Sequence, residues 1–230
     1  MQFAPKLERL RIEQCDSLTS LSGVEQCAGL ERLELVNDDG LYDISAIKSL
    51  ENLKQLFISQ RKLPEESELP PLDDAGCLTE LRQLEQLHLS VPHWKNLKGI
   101  ESLNRLTDLT LAQAHDLEDL SAIATLPRLK VLKLIGASSL KQLVIPESTE
   151  LDQVFVSGAA SLESIVLAGD QSQITSLSVL NCPNLKDIDE LDRCPNLRRV
   201  RISKVKHLVD TQAETAFKDR GVIFEYVEDH

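Results

Sequence analysis

The 230-residue sequence has no apolar run long enough to cross a membrane. A membrane-spanning helix needs about 20 successive apolar residues, and the longest runs here extend for only a few. The N-terminal sequence MQFAPKLERLRIEQ also lacks the apolar stretch of a secretory signal peptide. These absences predict a cytoplasmic protein that does not contact membrane.

Cysteine and positive charge are also scarce. Five cysteines are an odd number in a long chain, which does not indicate a disulfide framework and fits thiols kept reduced inside a cell. Lys and Arg total 25 against 37 Asp and Glu, so the net charge is −12. Because an anionic protein repels polyanions at long range, nucleic acid is not an expected partner.

Leucine, by contrast, recurs at a regular interval. Nine anchor positions are separated by 23, 23, 31, 22, 23, 22, 23 and 23 residues, and offsets +3 and +5 from every anchor are apolar. A period this strict indicates a solenoid of stacked repeats. The anchors are Leu7, Leu30, Leu53, Leu84, Leu106, Leu129, Leu151, Ile174 and Leu197.

The unit reads L-x-x-L-x-L-x-x-(C/A)-x-x-L-x-x-L, as in LERLRIEQCDSLTSL at 7–21 and ITSLSVLNCPNLKDI at 174–188. It resembles the leucine-rich repeat over nearly the whole chain, from Leu7 to about Leu208. Stretches such as LEDLSAIATLPRLKVL resemble the short-repeat branch that includes bacterial internalins and a eukaryotic protein-phosphatase regulator. The resemblance implies an α/β solenoid, a horseshoe with a parallel β-sheet on its concave face.

Strand alternation predicts which side chains face the core. Offsets +3 and +5 share one parity and should point inward, whereas +2, +4 and +6 should point out from the sheet. The remainder of each repeat, which we call the return limb, is too short for a long helix. We therefore expect short 3₁₀ turns or extended segments on the convex side.

The two ends of the chain differ. After residue 208 the pattern stops, and Thr211 with Glu214 predicts a capped helix followed by a strand in VIFEYV at 222–227. We expect a C-terminal helix–strand cap over 211–230, within a single repeat domain spanning 1–230. The N-terminus has no comparable device, so we expect a short cap made by Phe3 and Pro5, or a fragment of a larger protein. In isolation the chain is expected to be a monomer.

Two neighbouring repeats are irregular. The third has eight extra residues within QRKLPEESELPPLDDAGCLTEL at 60–81, where prolines and acids predict a protruding loop. The fourth has Pro92 where others have Cys or Ala, with the single tryptophan, Trp94, nearby. Loops with bulky side chains on a rigid array often bind partners. A tolerated insertion with Trp94 covering a gap explains the pattern equally well.

Motifs for catalysis and metal binding are not evident. The cysteines lie at least twelve residues apart, unlike zinc-binding pairs, and Cys182 and Cys194 occupy turn positions. The run DIDELD at 187–192 lacks the glycine and terminal glutamate of a calcium loop. None of the five histidines falls in a known catalytic signature. We expect no enzyme activity, no metal and no cofactor, while an unrecognised enzyme or metal protein stays the least favoured alternative.

The outward offsets define the surface that a partner would meet, basic at both ends and partly apolar between. Aromatic residues make up only 3% of the sequence, yet two of the five phenylalanines lie on this surface. Aromatic and arginine side chains are common interface anchors. We predict a patch around Phe57, Gln86 and His88. The full set of predicted contacts is Arg9, Arg11, Arg32, Phe57, Gln86, His88, Trp94, Lys133, Phe155, Arg199 and Arg201.

These patterns favour a non-catalytic scaffold that binds a protein or peptide on its concave face, within a larger receptor or sensor. A free-standing regulatory subunit of an enzyme such as a phosphatase is the alternative that the resemblance implies. The same exposed side chains also fit a surface with no partner, because isolated exposed apolar residues are common.

Overall fold

A computed structural model describes residues 6–38, 40–41, 43–59, 75–90, 93–147, 150–169, 173–186, 188–205, 215 and 217–227. Most regular structure in these residues is β-strand. The strands are β1 (Arg9–Glu13), β2 (Arg32–Val36), β3 (Gln55–Ser59), β4 (Gln86–Ser90), β5 (Asp108–Ala112), β6 (Val131–Ile135), β7 (Gln142–Ile145), β8 (Gln153–Ser157), β9 (Ser164–Leu167), β10 (Ser176–Leu180), β11 (Arg199–Ser203) and β12 (Ile223–Val227).

Ten strands form one parallel sheet in the order β1-β2-β3-β4-β5-β6-β8-β10-β11-β12. The first nine in this order occupy offsets +2 to +6 from the nine anchors, so the period predicted them correctly. Equivalent residues pair across the sheet, as Arg32 with Gln55 and Gln55 with Gln86. β12 adds a tenth strand beside β11, with Arg199 opposite Ile223.

The core lies between this sheet and the return limbs. Residues at +3 and +5 are buried in repeats two to nine, while Leu10 and Ile12 of the edge strand β1 are partly buried. The return-limb leucines Leu117, Leu140 and Leu162 are fully buried. Removing a leucine side chain from water stabilises the fold by roughly 1.5–3 kcal/mol, so stacked repeats supply the core that no single repeat could close.

The convex side contains both kinds of segment that the repeat length predicts. Short 3₁₀ helices lie at Val24–Gln26, Ser45–Ser49, Ala75–Leu78, Ser121–Thr125 and Asp189–Arg193. Repeats six and seven have the extended strands β7 and β9 instead, which pair in parallel as a second, two-stranded sheet. None of the helices in the described part of the chain is long and apolar enough to span a bilayer.

Strands of the main sheet lead into a left-handed turn wherever the residue after the strand is described. The residue seven positions after the anchor has a positive φ in all seven repeats in which it is described. In five of them its N–H donates to the next strand's last carbonyl, as Asn37 N does to Ser59 O at 2.6 Å. This conformation costs a non-glycine residue roughly 1–2 kcal/mol. The seven residues are Gln14, Asn37, Gln113, Gly136, Gly158, Asn181 and Lys204.

Part of the predicted 60–81 loop belongs to a regular return limb. Residues 60–74 lie outside the described residues. Ala75–Leu78 forms a 3₁₀ helix, and Leu78 and Leu81 are fully buried. Their apolar side chains hold residues 75–81 against the core, so this part differs from the loop that the sequence predicted.

Trp94 is only 3% exposed, so its predicted contact with a partner is wrong. Lys95 O accepts a hydrogen bond from Glu118 N at 2.9 Å. This bond aligns Lys95 with Glu118 and therefore places Trp94 in the row of Leu117 and the other return-limb leucines. The tryptophan replaces the leucine of its repeat, one position earlier than the period predicted, and it is buried for the same reason.

The C-terminal residues cover the last repeat as predicted. Residues 217–219 are helical, and Phe217 is fully buried and stacks on Phe224 with 6.0 Å between ring centroids. Arg220 Nη2 donates a hydrogen bond to Cys194 O at 2.5 Å. The predicted capping residues Thr211 and Glu214 lie outside the described residues, as do Phe3 and Pro5 of the proposed N-terminal cap.

Candidate binding face

Two rows of outward side chains cross the ten-stranded sheet and form its concave face. Neighbouring strands lie about 4.8 Å apart, so adjacent members of a row touch. The +4 row is Arg11, Glu34, Phe57, His88, Thr110, Lys133, Phe155, Ser178, Arg201 and Glu225. The +2 row is Arg9, Arg32, Gln55, Gln86, Asp108, Val131, Gln153, Ser176, Arg199 and Ile223.

This register brings three of the predicted contact residues together. Phe57 and His88 are adjacent in one row, and Gln86 lies two residues before His88 on β4. Phe155 lies three strands from His88, with Thr110 and Lys133 between them. The sheet therefore separates Phe155 from the predicted patch.

The Phe57 ring stacks on the His88 imidazole with 4.1 Å between centroids and 19° between planes. Burial of the imidazole, and secondarily the charge of Lys133, lowers the pKa of His88 below its ordinary value of 6.5. The ring is consequently neutral at pH 7. A neutral imidazole packs against a benzene ring without the desolvation cost of a buried charge.

A pocket of about 200 Å³ lies over this stack. Its floor includes Phe57 and His88, and polar side chains stand around them. Those polar lining residues are Arg32, Glu34, Gln55, Gln86, Asp108 and Thr110. Hydrogen-bonding groups around an aromatic centre can contact both the apolar and the polar parts of a peptide.

Arginines at the N-terminal end of the face are neutralised by neighbouring carboxylates. Arg11 Nη1 lies 2.6 Å from Glu34 Oε2, and Arg32 also pairs with Glu34. Hydrogen bonding by Arg32, and then by Arg11, lowers the pKa of Glu34 despite its partial burial. Arg11 has a second partner in Glu13, at 3.0 Å.

The C-terminal end is neutralised in a similar way. Arg201 Nε lies 2.8 Å from Glu225 Oε2 across the β11–β12 pair. The predicted excess of positive charge at the two ends is therefore wrong for Arg11, Arg32 and Arg201. Within the described residues, Arg9 and Arg199 have no ion-pair partner.

Sequence reasoning missed Glu225 as a member of this face and left Gln55 out of the predicted contacts. Glu225 lies in the tail, outside the repeats that were aligned, although the outward parity of β12 would have placed it beside Arg201. Gln55 lies at the outward offset +2 of the third repeat. Its pairing with Gln86 could have been found from the repeat spacing.

Metal-binding geometry does not occur in the described ranges, which contain no group of three or more His, Cys, Asp or Glu side chains able to hold an ion. All five cysteines are free thiols. Cys27, Cys182 and Cys194 are buried, whereas Cys15 is exposed. Burial raises the pKa of the Cys194 thiol to about 11, so this sulfur is a packed apolar group rather than a nucleophile.

No protein-family profile matches the chain. Among curated proteins it is similar to a "Putative adenylate cyclase regulatory protein" of Trypanosoma equiperdum, with 28% identity over 168 residues. The match covers 71% of this chain and 26% of that protein. The chain thus spans about a quarter of the length of this curated relative.

Solved structures show similarity at the level of the fold. Internalin C2 of Listeria monocytogenes superposes with a TM-score of 0.56 at 18% identity, covering 96% of this chain and 80% of that one. The functional domain of InlJ from the same species gives a TM-score of 0.42 at 14% identity, covering 96% and 53%, and supports no further argument. The repeat period, the parallel sheet and the similarity to internalin C2 agree that this chain has the leucine-rich repeat fold, as its sequence predicted.

Proposed function

We propose that this chain is a non-catalytic interaction module that binds a protein or peptide at its concave face. The Phe57–His88 stack carries the proposal, because it places two neutral rings in a pocket on a face that is otherwise mainly polar. Aromatic side chains in a partly desolvated pocket provide much of the binding energy in protein interfaces.

The surroundings of the stack fit this role. Gln55, Gln86 and Thr110 offer hydrogen-bond donors and acceptors without net charge, and Asp108 adds one carboxylate. The ion pairs of Arg11 and Arg32 with Glu34 hold the neighbouring rim in place. Exposed ion pairs stabilise a fold little, so we expect them to select among partners more than to supply affinity.

Regulation of an enzyme is the second candidate. The similar protein from Trypanosoma equiperdum is named as a regulator of adenylate cyclase, which favours an enzyme as the partner. The same face would then bind that enzyme, and a change in the enzyme's activity on binding would distinguish a regulator from a simple scaffold.

Titration of a partner recovered with the intact chain tests the binding face. Phe57→Ala and His88→Ala should each weaken binding about thirtyfold, since losing an anchor costs on the order of 2 kcal/mol. Neither side chain belongs to the inward-facing set, so the fold should persist. Asp189→Ala, on an exposed residue of the convex side, is the matched control and should bind normally.

Loss of binding in the convex variant alone would place the binding site on the convex side. If Asp189→Ala abolishes binding in calorimetry while both concave variants bind like the original chain, the concave face is not the binding surface.

A further inference from the structure

The convex strand β7 has one paired edge and one free edge. Lys141 O accepts a hydrogen bond from Glu163 N at 2.8 Å, and Ile145 O accepts one from Ala168 N at 2.9 Å. Peptide groups alternate in direction along a strand, so those of Gln142 and Val144 point away from β9. In the described part of the chain, neither residue has a backbone hydrogen-bond partner on that side.

The preceding repeat does not supply the missing partners. Its convex segment is the 3₁₀ helix Ser121–Thr125, whose bonds are internal: Ile123 N donates to Leu120 O at 2.9 Å and Leu126 N to Ile123 O at 3.1 Å. A 3₁₀ helix offers no ladder of groups spaced to match a strand. The small sheet therefore ends at β7.

The outer edge of β9 is capped at two of its carbonyls. Arg193, in the 3₁₀ helix Asp189–Arg193, donates to Leu167 O at 2.9 Å and to Gly169 O at 3.0 Å. Its guanidinium thus satisfies carbonyls that point away from β7. This side chain caps β9, whereas the Gln142 and Val144 edge has no equivalent.

A cavity of about 740 Å³ lies along the free edge. Leu120, Ser121 and Ile123 line one side, with Gln142 and Val144 opposite them. Its volume falls in the range of known ligand sites, about 300–1,000 Å³. Val144 is 42% exposed, so it offers apolar surface beside this edge.

We propose that this free edge is a second binding site, which takes an extended segment of a partner polypeptide as an added strand beside β7. Alternating N–H and C=O groups at strand spacing are complementary to another extended backbone. Apolar side chains of the segment would cover Val144, which is exposed. The site lies on the opposite side from the Phe57–His88 stack and is independent of it.

The charges that line the cavity indicate which end of a parallel segment should be basic. Glu118, Asp119 and Lys141 line the cavity where β7 begins, which leaves one negative charge in excess there. Among the described lining residues, none near Val144 and Pro146 is charged. A parallel segment, matching every other strand of the protein, would therefore have a basic residue first and apolar residues after it.

Amide hydrogen exchange of the free chain, measured by NMR, is the first test. Gln142 and Val144 should exchange quickly because their N–H groups lack partners, while Leu143 and Ile145, which face β9, should exchange slowly. Equal protection of all four amides would show that the edge is already paired, and would overturn the proposal.

Titration with the acetylated and amidated peptide KTVTVTV is the second test. Binding should protect Gln142 and Val144, and a glutamate in place of the peptide's lysine should weaken it. Two further peptides carry N-methyl groups on alternate nitrogens, so that each blocks the hydrogen bonds of one edge of the peptide. Only the peptide whose blocked edge faces β7 should lose affinity, by at least about tenfold, because net hydrogen bonds of ~1 kcal/mol each are lost. Equal binding of both versions, or no response of β7 to millimolar peptide, would overturn the proposal.

Val144→Pro removes one outward N–H without removing a β7–β9 hydrogen bond, a position where a strand tolerates proline. It should reduce peptide affinity about tenfold or more, whereas Phe57→Ala should bind the peptide normally. If the proline variant folds and binds like the original chain, the added strand is wrong. If the proline variant does not fold, titration of the unchanged protein with the N-methylated peptides still tests the added strand.

Discussion

Phe57 and His88 stack at 4.1 Å although 31 residues separate them in the sequence. This separation is the length of the third repeat, eight residues more than the second repeat and nine more than the fourth. The strands on either side of the extra residues keep their register, with Gln55 opposite Gln86. The longest repeat thus leaves the concave face continuous, and the aromatic pair depends on that continuity.

The contact between Phe57 and His88 should contribute measurably to the free energy of unfolding. In a double-mutant cycle with Phe57→Ala and His88→Ala, we expect a coupling of about 0.5–1.5 kcal/mol in the free energy of unfolding, the range of stacked aromatic pairs. Thr110→Ala with Phe155→Ala, two strands apart, is the control and should be additive within about 0.5 kcal/mol. Additivity at Phe57 and His88 as well would mean that the stack contributes nothing.

The imidazole of His88 should titrate below pH 6.5 in an NMR experiment. Because the folded pKa lies below the unfolded one, unfolded chains bind the proton first. Stability is unaffected by this group above the unfolded pKa and falls as the pH drops through it toward the folded value. Lys133→Met should raise the pKa only partly, since burial is the larger cause. Lys130→Met is the control; a complete return to 6.5 in Lys133→Met would refute the assignment to burial.

Replacement of Trp94 tests whether it occupies a leucine position. Trp94→Ala should destabilise the fold by about 3–5 kcal/mol through the cavity it leaves. Trp94→Leu should cost clearly less, because it restores the residue type of that row. Chemical denaturation followed by circular dichroism measures both, with Gln86→Ala expected within about 0.5 kcal/mol of the original chain. Equal losses for Leu and Ala would contradict the alignment.

Deletion of residues 211–230 should expose the apolar edge of the last repeat. Hydrogen exchange should quicken in β10 and β11, and the truncated chain should associate. Phe217→Ala alone should cost about 3–5 kcal/mol, whereas Asp219→Ala on the exposed side of the same segment should be nearly silent. A monomeric truncation with unchanged protection would show that the tail is an appendage.

Thermal stability should not depend on metal or on disulfides. Chelator and reductant should leave the unfolding midpoint unchanged, because stacked repeats provide the core and all five cysteines are free. Thiol labelling should be fastest at the exposed Cys15. It should be slowest at Cys194, where burial raises the pKa to about 11 and removes the reactive thiolate. A large fall of the midpoint with chelator would reopen the question of a metal.

Period and parity were enough to predict the main sheet. Inward and outward side chains alternate along a strand for local reasons. Because the same inward positions must be apolar in all nine repeats, a deviation in one repeat does not obscure the pattern. The aromatic members of the concave face follow from the same rule, since Phe57 and His88 lie at an offset that must point outward. Their contact required one more step, the pairing of equivalent offsets in adjacent repeats.

The wrong predictions concern residues that lie beside a break in the regular repeat spacing. Trp94 was predicted as a contact because it lies near the irregular Pro92, but its repeat is one residue shorter before that position, which places the ring in the leucine row. Arg201 was taken as free because its partner, Glu225, lies beyond the last aligned repeat. The convex strands were visible in composition: Val144 and Ile165 belong to β-branched runs, whereas the 3₁₀ helix Ser121–Thr125 is rich in alanine.

The left-handed residue that follows seven of the main strands separates two parts of the repeat that can change independently. Before it, strand length and register are the same in every repeat, since the next strand must match residue for residue. After it, repeats of 22, 23 and 31 residues coexist in one chain, and the return limb contains a 3₁₀ helix in some repeats and a strand in others. Natural variation can therefore lengthen or remodel the back of the solenoid without moving a side chain on its recognition surface. Substitutions on that surface, in turn, leave the architecture unchanged.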